Sequence, residues 1–250
     1  MFDSPELPAS PSVEQAIREL YPHDRADTEA VRQSFAMFIA KPAPELGCAF
    51  NYASDMFYTE FSAWGGSVVQ LAKMCECDLH TVHHTITLFL KFLHRGDGRV
   101  DTVEQWADLY WQRMACMWIA FKYSDSGFDD IESFTTDEHE RKMLVCAEMQ
   151  VMRTVDYELA PPPDYMGMLG VLLNALPEVM DRALRMFMNF SAHPAHWYGM
   201  SYISICSACI LAARESLDGR PEIYIHQLRQ LHNPDIPVLI ALAERVIRFI

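Results

Sequence analysis

No stretch of 18 residues in this chain is free of charged or strongly polar interruptions. A bilayer-spanning helix needs about 20 mostly apolar residues, so none is expected. The opening MFDSPELPASPS has neither a basic start nor an apolar centre. It does not read as a secretory signal, and the expected setting is intracellular. Base is scarce: 20 lysines and arginines face 34 acids, for a net charge of −14. That surface repels phosphate backbones and anionic lipid, which argues against direct contact with nucleic acid or a membrane. The seven cysteines are odd in number and fit reduced thiols better than a disulfide framework. Alternating apolar and polar residues, the mark of a half-buried strand, never persist long enough for a sheet.

What is present is helix. Half of the 250 residues are apolar and 12% are aromatic, enough for one large core or two smaller ones. After a proline-rich start, SVEQAIREL (12–20) reads as a short amphipathic helix with a serine cap. DTEAVRQSFAMFIA (27–40) is a second, with Ala30, Val31, Phe35, Phe38 and Ile39 inward. KPAPELG (41–47) breaks it. Helices are then expected at 59–76, weakened by Gly65 and Gly66, and at 81–95, 103–125 and 135–159. Asp101 and Thr102 stand where a cap belongs for the third of these. Three consecutive prolines in APPPDY (160–165) enforce an extended link. Beyond it, helices are expected at 164–176, 177–191, 199–217, 221–232 and 235–249. The fold class is all-α, with about five helices on each side of the link.

The halves echo each other. CMWIAFKYSDSG (116–127) and SACILAARESLDG (207–219) are both rich in small and apolar residues, and both end in a basic residue and a polar turn. Each suits the centre of a bundle, where neighbours approach closely.

These residues resemble the cyclin family. WIAFKYSD (118–125) is similar to the end of the third helix of a first cyclin box: an apolar stretch, then lysine, an aromatic and acid. AEMQVMRTVDYELAPPPDYM (147–166) resembles the fifth helix and its proline-containing exit. CECDLHTVHHTITLFLKFLHR (75–95) resembles the loop and second helix, with Lys91-Phe92-Leu93 near its end. The resemblance implies two tandem five-helix cyclin-box bundles behind an N-terminal helical extension: 1–56, then 57–159, then 160–250. It implies a non-catalytic regulatory subunit that binds and activates a cyclin-dependent Ser/Thr kinase in the nucleus and/or cytoplasm, in cell-cycle or cell-division control. By the same resemblance Lys122 and Glu148 would contact the kinase, with Phe121, Tyr123 and Met152 as apolar neighbours. No cofactor and no metal are implied. The substrate-docking patch of many relatives, Met-Arg-Ala-Ile-Leu-like, is replaced here by Glu60-Phe61-Ser62-Ala63-Trp64.

Other patterns compete. Cys75, Cys77, His80, His83 and His84 fall within ten residues, but their spacing fits no common structural zinc site. Cys206 and Cys209 form a Cys-x-x-Cys inside an apolar helix, where burial is expected over redox chemistry. Asp129 and Asp130, in SGFDDIES, allow an all-α magnesium-dependent enzyme of the terpene-synthase kind, although the third carboxylate is one position early. A cyclin-fold binding module without a kinase is the remaining alternative. Lys122 and Glu148 could also simply pair with each other, with the lysine favoured at a helix C-terminus.

Overall fold

A computed structural model describes residues 25–39, 55–75, 77, 80–96, 100, 102–123, 131–193, 196–197 and 200–248. The expected helix at 12–20, the break at 41–47, and Asp129 and Asp130 lie outside these residues. Every regular element among the described residues is a helix.

The helices are α1 (Arg25–Ile39), α2 (Asp55–Met74), α3 (His80–Arg95), α4 (Val103–Asp108), α5 (Tyr110–Lys122), α6 (Ile131–Phe134) and α7 (Glu138–Thr154). After the link come α8 (Tyr165–Leu172), α9 (Pro177–Ser191), α10 (Tyr202–Asp218), α11 (Glu222–His232) and α12 (Ile236–Arg248). Helix α5 lies between α3 and α7, and α10 lies among α8, α9, α11 and α12. Every residue from Ala115 to Phe121 is buried, as is every residue from Ile205 to Ala213. Close-packed interiors need small groups as well as large ones. Ala115, Cys116 and Ala120 supply them in α5, and Ser207, Ala208, Cys209, Ala212 and Ala213 in α10.

Several boundaries differ from the sequence expectation. The run 103–125 divides at Leu109, which ends α4 with a backbone φ of −87° and ψ of 12°. Thr102 caps α4 and exchanges hydrogen bonds with Gln105 in a capping box. Helix α7 starts after Asp137, whose carboxylate accepts from the Glu140 N–H. It stops at Thr154, short of 159, because Asp156 and Tyr157 both turn left-handed, with φ of 55° and 56°. Groups on α3 hold that turn. Arg95 Nη1 donates to the Val155 carbonyl at 2.6 Å, and Lys91 Nζ donates to the Glu158 carbonyl at 3.0 Å. Both cations also meet the Glu158 carboxylate, at 2.8 and 2.5 Å. In α1, Ala30 is exposed rather than inward, and Phe35 is the buried anchor. The Phe35 ring packs on Tyr165 and His232, so α1 leans on the second half.

The halves meet along a close seam. Helix α9 packs on α2 and α3. A Cβ added to Gly65 would sit 2.1 Å from the Ala192 carbonyl oxygen, so backbone meets backbone there. This is why α2 tolerates a glycine pair that weakens it: a side chain at 65 would hold the halves apart. Gly66, one residue on, faces open space.

Of the closely spaced histidines of α3, His80 and His83 line the same seam, while His84 faces Leu159 and Tyr123. His83 is stacked on Tyr202 at 4.3 Å and lies against Trp197 and Phe187. Burial, then the neighbouring His80 and His84, lower its pKa to about 3. His84 Nε2 donates to the Leu159 carbonyl at 2.9 Å. Burial lowers its pKa to about 4, against that hydrogen bond. His80 sits between the Tyr202 hydroxyl, at 2.6 Å, and Asp164, at 3.0 Å. Asp164 in turn caps α8 through the Gly167 N–H. No cluster of three or more His, Cys, Asp or Glu able to hold a metal occurs among the described residues. Cys206 and Cys209 are buried free thiols whose pKa values are pushed up by desolvation. No helix of the described residues is long and apolar enough to cross a membrane.

Candidate partner-binding face

Trp118 and Lys122 are four residues apart on α5, hence on one side of it. Glu148 stands on α7, facing them. Its Oε1 accepts from the Lys122 ammonium, and its Oε2 accepts from Trp118 Nε1 at 3.1 Å. The ammonium also lies over the Trp118 ring, 5.0 Å from its centroid. A cation over an indole face is electrostatically attracted to it. The indole thus touches both members of the ion pair: its N–H holds the acid and its face meets the base. Trp118 itself is only 4% exposed and is braced by Phe134, 5.5 Å away. The Glu148 side chain is 13% exposed and that of Lys122 is 37% exposed. The carboxylate is shielded, and the ammonium reaches water.

Around this pair the surface is apolar. Val145 and Met149 on α7 are 47% and 38% exposed, and Tyr123, just past α5, is 53% exposed. Val145, Met149 and Met152 follow i, i+4, i+7 spacing, so they form a stripe beside Glu148. Met152 is half-buried and packs on the core. Next to the stripe is an open groove of about 560 Å³, lined by Ile131, Glu138, Arg141, Lys142, Val145 and Cys146. Arg141 anchors its wall through Glu132 at 2.7 Å. Exposed apolar groups gathered at one place, rimmed by charge, mark a surface suited to another protein.

One residue must leave the expected set. Phe121 is fully buried and packs toward Phe134. Adjacent residues on a helix point about 100° apart, so the neighbour of an exposed lysine turns into the core. Val145 and Met149 join the face instead, and Trp118 lies beneath it, reaching the ion pair through its N–H and ring. The spacing from Trp118 to Lys122 was visible in the sequence, but the carboxylate between them comes from another helix.

Residues 63–160 match the family described as Cyclin, N-terminal domain. The match opens inside α2 and closes in the link after α7, so it takes in Trp118, Lys122 and Glu148. Over these residues the chain carries a cyclin N-terminal domain. No curated protein matches the chain in sequence.

Proposed function

We propose that this chain is a regulatory subunit that binds and activates a cyclin-dependent Ser/Thr protein kinase. The carrying observation is the face just described, a shielded ion pair set in an exposed apolar stripe, inside the cyclin N-terminal domain. Phosphoryl transfer in a kinase requires a Lys–Glu ion pair and a metal-binding aspartate, both controlled by the position of one kinase helix. A rigid surface that binds the active placement better than the inactive one shifts the population toward activity. Val145, Met149 and Tyr123 would cover apolar groups of that kinase. Lys122 would donate to its exposed carbonyls, each such charge-assisted bond contributing about 1.5–3 kcal/mol once water is excluded. Residues 160–250 would form a second cyclin box, arranged around α10 as the first is around α5. In this role the chain works in the nucleus or cytoplasm, performs no chemistry itself and serves cell-cycle control.

The test is capture from cell extract with a protein-kinase assay of the eluate. Wild type should bring down an active kinase. Lys122→Ala/Glu148→Ala, still folded by circular dichroism, should not. Equal kinase activity with both proteins would remove these residues from the interface. No kinase with either would remove the kinase reading altogether.

A further inference from the structure

The Glu148 carboxylate is committed on both oxygens, to Lys122 on one and to Trp118 on the other. Each oxygen already accepts one hydrogen bond and the side chain is only 13% exposed, so the carboxylate is shielded from a partner. The ammonium differs. It has three donors, one of them given to Glu148, and its side chain is the most exposed of the three. Lys122 is therefore the group that can reach outward, and Glu148 is the group that aims it. Something must then hold Glu148. A carboxylate on one helix, free to rotate about three bonds, would otherwise spread over several rotamers and carry the lysine with it. Trp118 prevents this. Its ring is buried and packed on Phe134, so its N–H points in a fixed direction.

Resting on the cyclin reading above, we propose that Trp118 is the positioning residue of the partner-binding face: its indole N–H fixes the Glu148 carboxylate, which fixes the Lys122 ammonium where a partner meets it. Its ring face adds a second hold on the same ammonium. The two kinase contacts are thus unequal. Lys122 touches the partner, and Glu148 and Trp118 act through Lys122.

The first arm of the test uses the free protein, with lysines carrying 13C-dimethyl labels and tryptophans carrying indole 15N. In Trp118→Phe the Lys122 signal should move in the same direction as in Glu148→Gln, while the melting temperature stays close to that of wild type. If Trp118→Phe does not fold, Glu148→Gln decides from the other end, because it should shift the Trp118 indole N–H resonance and leave the other four indoles in place. No movement of either signal overturns the positioning role. The second arm measures affinity for the kinase recovered by capture. Lys122→Ala should weaken binding about tenfold, the loss of roughly one charge-assisted hydrogen bond. Trp118→Phe should weaken it about threefold, and adding it to Lys122→Ala should cost nothing more. Additive losses would mean that Trp118 acts by some other route, and no loss in Trp118→Phe would make the positioning irrelevant to binding. Either result overturns this proposal and leaves the kinase reading standing. Unchanged binding in Lys122→Ala removes Lys122 from the interface and overturns the positioning role with it, whereas failure to recover any kinase overturns the reading beneath it.

Discussion

Helix α5 buries every residue from Ala115 to Phe121, and α10 buries every residue from Ile205 to Ala213. Their ends are unlike. Helix α5 finishes at Lys122, tied to Glu148 of α7 beside exposed Tyr123 and Met149. Helix α10 finishes at Gly219, left-handed with φ of 67°, and its Arg214 lies over the ring of Tyr224 on the next helix. The charge divides as well. After residue 159 there are eight acids and seven bases, so the net −14 resides almost wholly in the first 159 residues. One packing plan has been used twice for different ends. The first half shapes an outward surface, while the second supplies Trp197, Tyr202, Phe187 and Ala192 to the seam that carries that surface.

Acid should separate the two roles with the largest effect. His83 and His84 protonate in the folded chain only near pH 3 and 4, against 6.5 when unfolded. Below pH 6.5 the unfolded chain takes up protons that the folded chain refuses. The stability due to these neutral histidines is therefore complete above 6.5 and lost as the pH falls toward 4. The loss should reach the order of several kcal/mol, since every tenfold difference in proton affinity between the folded and unfolded chain is worth about 1.4 kcal/mol. Urea unfolding at pH 7.5, 6 and 5 should show the midpoint falling steadily, and His83→Leu should flatten the trend. A midpoint that ignores pH would mean that these histidines are not held neutral in the interior.

Gly65→Ala attacks the seam by shape instead. Its Cβ has no space before the Ala192 backbone, and overpacking of this kind costs about 3 kcal/mol. Calorimetry should show a large drop in melting temperature, and an unchanged value would refute the close approach. Smaller again is the contrast of rims. Lys122→Ala should cut kinase affinity about tenfold yet cost roughly 0–1 kcal/mol of stability, as partly exposed pairs do. Arg214→Ala should leave affinity unchanged and lose about 0.5–1 kcal/mol of cation–π attraction. Loss of binding in both would mean that the second half also reaches the partner. The smallest effect has the opposite sign. Gly66 faces open space inside a helix, so Gly66→Ala should stabilise by roughly 0.5–1 kcal/mol.

Sequence patterning revealed the two central helices because uninterrupted burial needs uninterrupted small and apolar residues. It revealed the proline link and the Thr102 cap because those signals are local. The break at Leu109 escaped it, since apolar spacing runs straight through the kink. Gly65 looked like a weakness, because Ala192, which requires it, belongs to the other half. The histidines looked like possible ligands until Tyr202 and Trp197 were placed against them. Phe121 adjoins Lys122 in the sequence and shares its expected surface, whereas helical rotation turns it inward. Lys122 and Glu148 came from the family resemblance, whereas the part of Trp118 emerges only when α5 and α7 lie side by side.

The seam also bears on what the link at 160–164 is for. Cutting it would leave each fragment with a surface that has no use for water: a bare glycine backbone and a stacking histidine on one, and two large aromatic rings on the other. Fragments of that kind reassociate. On that packing, the link would serve assembly more than cohesion, keeping the second half within reach of the first until their surfaces meet.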